Sequence, residues 1–149
     1  MKRYLRVLMP VLTFLVLAFI LSNSLSDQSQ AEEKRNLAIK LVTEKTFKRS
    51  VLACIAKIFH LLEYSAFSFC LTSSVLLLGD GLKNRFERIL LCGMTLAMAD
   101  ELIQSLFSGR GSKLTDVLVD TAGIMIGYAL AIGIGLLLKK IKKKKKEET

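Results

Sequence analysis

Four long apolar blocks constrain the fold of this 149-residue chain more than any other feature. They cover about residues 5–21, 58–78, 89–107 and 117–138. A helix rises about 1.5 Å per residue, so about 20 apolar residues cross a bilayer core about 30 Å thick. Backbone groups inside lipid must be hydrogen-bonded within the segment, which favours helices. The sequence therefore predicts an all-α polytopic membrane protein with about four transmembrane helices in a single domain over residues 1–149.

The first apolar block has two interpretations. Lys2, Arg3 and Arg6 precede it, and the small polar run SNS at positions 22–24 follows it. A cleaved signal peptide has this layout, and so does a retained first transmembrane helix. The retained helix is favoured because the apolar stretch reaches nearly the length that spans a membrane. Both interpretations place the beginning of the chain in the cytoplasm.

The segment between the first and second blocks is polar and of mixed charge. From about Ala31 its apolar residues, among them Leu37 and Leu41, recur at a spacing of three to four. This pattern predicts an amphipathic, extracytoplasmic helical segment on the membrane surface. A solvated linker with some helix is the alternative.

Basic residues indicate the orientation of the helices. Seven lysines lie between positions 139 and 146, and Lys83, Arg85 and Arg88 follow the second block. Because such residues stay on the cytoplasmic side, both termini are expected there, although seven basic residues after the first block then lie outside. The net charge of +9 therefore indicates anionic membrane lipids as partners of the lysine tail. Nucleic acid is not expected, because no folded basic domain is available.

Polar and ionisable residues are embedded in the last three blocks, at the ends that alternating helices bring to the outer side. This predicted cluster comprises Lys57, His60, Glu63, Tyr64, Asp100, Glu101, Gln104, Arg110, Asp116 and Asp120. Charges at membrane depth are costly and normally face the bundle interior or a polar cavity. Gly123 and Gly127 lie on the helical stripe of Asp116 and Asp120, and this spacing predicts close helix packing. We therefore expect the aspartates to face the bundle interior.

Such a cluster has two interpretations, a polar pocket open to the outer surface and a network of ion pairs that only holds helices together. In the first, His60, Glu63 and Glu101 are the candidates for acid–base chemistry, since an imidazole and a carboxyl group can exchange protons near neutral pH. The chain has one histidine, and its three cysteines lack metal-type spacing. We therefore expect no metal and no cofactor.

Several segments resemble the VanZ-like membrane proteins. The most specific are residues 99–110 (ADELIQSLFSGR) and 116–123 (DVLVDTAG), followed by Gly127. Residues 57–64 (KIFHLLEY) and the serine-rich stretch 22–30 are also similar to the family. Departures from the family pattern occur at Ala56, Phe59 and Ser108. The resemblance covers nearly the whole chain in order.

The resemblance implies a small multi-helix membrane protein of Gram-positive type, in a family named for a protein associated with resistance to teicoplanin-like glycopeptides. The leading hypothesis is a cell-envelope protein whose outer-leaflet pocket engages a lipid headgroup or a lipid-linked cell-wall precursor and influences glycopeptide susceptibility. One alternative is an intramembrane hydrolase or transferase that uses His60 and Glu101. Another is a structural ion-pair network in a membrane scaffold or small transporter. The sequence shows no sign of a soluble catalytic domain, so any activity must reside in the membrane cluster. Whether the protein is an enzyme stays open, and a non-enzymatic role is favoured.

Overall fold

The computed structural model describes residues 2–25, 45–79, 85–107 and 114–147. They form four helices, α1 (Lys2–Ser24), α2 (Lys45–Leu78), α3 (Arg85–Phe107) and α4 (Leu114–Glu147). No strand occurs within these ranges, and each helix contains a stretch long and apolar enough to cross a membrane. The prediction of an all-α membrane protein with four spanning helices is confirmed.

Two helices are longer than the apolar blocks that predicted them. α2 and α4 each contain 34 residues, which corresponds to about 51 Å, well beyond a hydrocarbon core of about 30 Å. α2 begins at Lys45, so the last part of the predicted surface segment continues directly into the second spanning helix. The remainder of that segment, residues 26–44, lies outside the described residues. At the other end, the lysine-rich run extends α4 as far as Glu147.

α2 and α4 form the most extensive helix contact of the bundle. Their backbones approach most closely at two glycines of α4. A Cβ atom added at Gly123 would lie 2.6 Å from the carbonyl oxygen of Leu61, and one added at Gly127 would overlap that of Ser65. Contacts follow the same order along both helices, so α2 and α4 run parallel. Small residues allow such close approach of membrane helices, where packing rather than hydrophobic burial drives association.

α1 packs antiparallel to α2. The hydroxyl oxygens of Thr13 and Ser74 lie 3.3 Å apart, and Asn23 Nδ2 donates a hydrogen bond of 2.9 Å to Glu63 Oε1. Later residues of α1 therefore lie beside earlier residues of α2. The end of α1 lies beside the early part of the apolar stretch of α2.

α3 packs antiparallel to α4 in the same way. The rings of Phe86 and Tyr128 meet edge to face with centroids 5.1 Å apart, and Gly93 of α3 packs against Ile124 of α4. The ends of α1 and α3 therefore meet the beginnings of the apolar stretches of α2 and α4. We call this end of the bundle, which carries Asn23, His60, Asp100 and Asp120, the polar end.

Apolar side chains fill the centre of the bundle and also cover its outside. The buried cluster contains Ile20, Tyr64, Phe67, Ile89, Ala97, Val117 and Ile124. Large side chains such as Phe14, Leu62, Leu102 and Leu118 are exposed on the outer surface. In a membrane such side chains contact lipid tails, because the bilayer core is as apolar as the side chains themselves.

Candidate functional site

Three helices bring carboxyl groups into the interior of the polar end. Asp100 and Glu101 of α3 and Asp120 of α4 are buried, and Asp120 has no exposed surface at all. The burial of Asp120 agrees with the expectation that the aspartates face the bundle interior. Buried carboxyl groups in a membrane need partners or a polar ligand, because lipid cannot solvate them.

His60 of α2 lies directly against Asp120. Its Nδ1 atom is 3.3 Å from Asp120 Oδ1, within ion-pair distance. The side chain of His60 is 22 % exposed, whereas that of Asp120 is completely covered. The imidazole therefore lies between the buried carboxyl group and the surface of the polar end.

Asp100 of α3 approaches the same pair. His60, Asp100 and Asp120 each present one nitrogen or oxygen atom, and these three atoms lie within 4.8 Å of one another. Gln104 Nε2 donates a hydrogen bond of 2.9 Å to Asp100 Oδ2. Among the described residues, Asp100 Oδ1 and both carboxylate oxygens of Asp120 have no hydrogen-bond partner. Three helices thus converge on one small group of polar atoms.

Tyr64 and Glu63 complete the α2 side of the cluster. Tyr64 is fully buried, and its hydroxyl has no hydrogen-bond partner among the described residues. Glu63 is half-buried and accepts the hydrogen bond from Asn23, so α1 also reaches the polar end. The sequence pattern did not single out Asn23. The sequence feature that could have identified it is a carboxamide at the end of an otherwise apolar helix.

The remaining predicted site residues are less central or cannot be placed. Lys57 is exposed on α2 and forms no ion pair within the described part of the chain. Asp116 is half-buried in the first turn of α4, where Thr115 Oγ1 lies 3.3 Å from its Oδ1. Arg110 lies outside the described residues.

Hydroxyl groups join α2 to α4 below the carboxyl groups, a feature that the sequence analysis missed. Ser65 Oγ donates to the carbonyl oxygen of Gly123 at 3.0 Å, and Ser68 Oγ donates to that of Ile124 at 2.8 Å. Thr72, one turn further along α2, is also buried. The sequence pattern that could have predicted these contacts is the presence of small hydroxyl residues at positions 65, 68 and 72. This spacing places them on one helix face.

The electrostatics of the polar end favour positive charge. Glu63, Asp100, Glu101 and Asp120 provide four carboxyl groups, and His60 is the one imidazole of the chain. The arrangement therefore suits a proton, a cation or the cationic part of a ligand.

Comparison with known proteins identifies the chain at the level of the family. The model of the VanZ/LLP1 family matches residues 5–138. This range includes every residue of the polar cluster and most of all four helices. Comparisons with curated proteins and with solved structures gave no significant match.

Proposed function

The chain belongs to the VanZ/LLP1 family, and from this membership and the site geometry we propose that it acts in the cell envelope of its host. In this proposal the polar end of the bundle is a pocket in the outer leaflet. The pocket engages a lipid headgroup or a lipid-linked cell-wall precursor. Through this contact the protein influences susceptibility to glycopeptide antibiotics such as teicoplanin.

One observation carries the pocket proposal. Asp120 is completely buried; among the described residues its Oδ1 has the ion-pair contact of 3.3 Å with His60, and its Oδ2 has no hydrogen-bond partner. Polar atoms inside a protein are nearly always hydrogen-bonded, and at membrane depth the cost of leaving them unpaired is higher. A polar ligand group that enters beside the partly exposed His60 would supply the missing contacts.

The proposed side of the membrane rests on the charges of the chain. Both the start of α1 and the lysine-rich end of α4 lie at the end of the bundle opposite the polar end. Lysine clusters beside spanning helices favour the cytoplasm. The proposal therefore places the polar end at the outer leaflet, where headgroups and lipid-linked precursors are accessible. The role in glycopeptide susceptibility rests on the resemblance to the VanZ-like family.

Photocrosslinking tests the pocket. A photoreactive amino acid is introduced at Gln104 or Asp116, which are half-buried at the rim of the cluster, in membranes containing lipid-linked precursor. The matched control position is Leu118, which is 61 % exposed on the same helix as Asp116 and faces lipid tails. We expect Gln104 and Asp116 to capture the precursor or one headgroup class, and Leu118 to capture lipids in their bulk proportions.

The same set of products can contradict the proposal. If all three positions capture bulk phospholipid in equal proportions, the polar end is not a selective pocket. Susceptibility is measured separately, by expression of the wild type and of Asp120→Asn in a glycopeptide-sensitive Gram-positive host. Equal teicoplanin sensitivity of cells with and without the wild-type protein would remove the antibiotic part of the proposal.

A second candidate function, an intramembrane hydrolase or transferase, is favoured by the 3.3 Å contact between His60 and Asp120. A carboxylate beside an imidazole orients it and stabilises its protonated form, which suits general acid–base catalysis. In that case His60 would transfer the proton and Asp120 would be a positioning residue. Mass spectrometry of precursor recovered after incubation with the protein in nanodiscs distinguishes the two functions. A new product lost in His60→Ala supports the enzyme, whereas intact precursor contradicts it.

A further inference from the structure

We propose that His60, Asp100 and Asp120 form a binding site for a divalent metal ion of the Zn²⁺ or Mn²⁺ class. The three side chains come from three different helices, and one potential ligand atom from each lies within 4.8 Å of the others. Imidazole nitrogen and carboxylate oxygen are the donors that such ions accept. The inference goes beyond the headgroup pocket and does not depend on it. It also departs from the expectation of a metal-free protein, which rested on the absence of metal-type spacing in the sequence.

The geometry is close to that of a three-ligand site. Tetrahedral Zn²⁺ with bonds of about 2.1 Å holds its ligand atoms about 3.4 Å apart, and octahedral Mn²⁺ with slightly longer bonds holds neighbouring ligand atoms about 3 Å apart. The 3.3 Å between His60 Nδ1 and Asp120 Oδ1 agrees with both separations. One ligand atom of Asp100 lies within 4.8 Å of the other two, so Asp100 would have to move toward a bound ion. The fourth position would face the surface on the side of His60, the partly exposed member of the three.

An independent observation supports a ligand at this position. Asp120 has no exposed surface and Asp100 is 2 % exposed, so neither carboxyl group is solvated. Asp120 Oδ2 and Asp100 Oδ1 nevertheless lack a hydrogen-bond partner among the described residues, and Asp120 Oδ1 has the ion-pair contact with His60. A positive group between two buried carboxylates would stabilise both of them. One divalent ion would satisfy both carboxylates at once, whereas a proton would satisfy one.

Surrounding contacts hold the proposed ligands in place. The hydrogen bond from Gln104 Nε2 to Asp100 Oδ2 fixes that carboxylate and leaves Oδ1 free to bind the ion. Metal ligands in proteins are commonly oriented by such outer hydrogen bonds. The ion would also offset part of the charge of Glu63 and Glu101 nearby. Bound metal in turn would attract an anionic oxygen, such as that of a phosphate, to its open position.

Manganese binding to the purified full chain in phosphatidylcholine nanodiscs tests the site. Mn²⁺ is chosen because it prefers oxygen and nitrogen donors, whereas Zn²⁺ could bind the exposed thiols of Cys54 and Cys92. Electron paramagnetic resonance of free Mn²⁺ gives the stoichiometry and Kd. We expect one saturable site per chain, and at least tenfold weaker binding in His60→Gln and in Asp120→Asn.

Asp116→Asn is the matched control. Asp116 is an aspartate of the same helix, one turn before Asp120, and lies outside the three-residue group. We expect this variant to bind Mn²⁺ like the wild type. Equal affinity of the wild type, His60→Gln and Asp120→Asn, or no saturable binding by the wild type, would overturn the proposal and leave a metal-free ion pair between His60 and Asp120.

Thermal unfolding supplies a second readout that separates a lost site from a lost fold. His60 is partly exposed, so His60→Gln is expected to fold. With Mn²⁺, the Tm of the wild type and of Asp116→Asn should rise, because an ion that binds the folded state stabilises it. The Tm of His60→Gln should stay unchanged. A rise in Tm for His60→Gln as large as that of the wild type would contradict the site. Mn²⁺ binding is measured directly and the headgroup pocket by photocrosslinked lipid, so failure of the metal site is distinct from failure of the pocket.

Discussion

His60 Nδ1 and Asp120 Oδ1 lie 3.3 Å apart and join the parallel helices α2 and α4 at the polar end of the bundle. The two residues are far apart in sequence, and Asp120 is fully covered while His60 remains partly exposed. Removal of one partner is expected to cost more free energy of unfolding than the intact contact contributes, because the remaining buried carboxyl group would lose its partner.

Removal of His60 should therefore destabilise the protein. His60→Ala is expected to lower the free energy of unfolding by about 3 kcal/mol, as when one partner of a buried ion pair is removed. Denaturation of the full chain in mixed micelles, with a metal chelator present, measures this loss. Lys57→Ala, an exposed position one turn earlier on α2, is the control and should change the free energy of unfolding by less than about 0.5 kcal/mol. Equal effects of the two substitutions would count against the pairing.

The contact between α2 and α4 should depend on Gly127. In Gly127→Ala the new methyl group would overlap the backbone of Ser65, so the helices must separate. We expect a loss of about 2 kcal/mol, a typical cost of overpacking. Gly133→Ala on the same helix is the control, since nothing lies within 4 Å of a Cβ atom there. Its stability should be unchanged or higher. The same denaturation assay measures both, and a Gly127→Ala protein as stable as Gly133→Ala would refute the close contact.

α1 should remain part of the mature protein. Asn23 Nδ2 donates to Glu63 Oε1 at 2.9 Å, and Ile20 belongs to the buried cluster, so loss of α1 would uncover both. The intact mass of protein purified from membranes is expected to include residues 2–24. A mass that corresponds to cleavage near position 24 would show that the signal-peptide interpretation is correct.

The orientation of the bundle is testable by cysteine labelling. In a background with Cys54, Cys70 and Cys92 replaced by serine, a membrane-impermeant thiol reagent is applied to whole cells. Ser112→Cys, between α3 and α4 in the sequence, should react from outside, because the lysine tail favours cytoplasmic termini. Asn84→Cys, between α2 and α3 in the sequence, should react only after the membrane is opened. The reverse pattern would place the polar end in the cytoplasm and would exclude an outer-leaflet pocket.

The parts of the fold that depend on local composition were predictable. A helix that crosses lipid must be long and apolar, so the four spans could be assigned from continuous hydropathy. The position of the carboxyl groups at one end also followed, because helices of alternating direction bring Asp100 and Asp120 to similar depth. The start of α2 at Lys45 was not predicted, since a polar helical extension carries no hydropathy signal that distinguishes it from a surface segment.

The sequence by itself determined the number of helices, their order and the end of the bundle that carries the ionisable residues. Each of these follows from single segments, because a long apolar segment requires lipid and an embedded ionisable residue requires partners. The tertiary structure decided which residues meet. His60 had been grouped with Glu63 and Glu101, and the structure instead pairs it with Asp120. It also placed Asn23 against Glu63 and packed α2 most closely on α4. These choices depend on the rotation and separation of whole helices, which the glycines and hydroxyl groups between α2 and α4 set together.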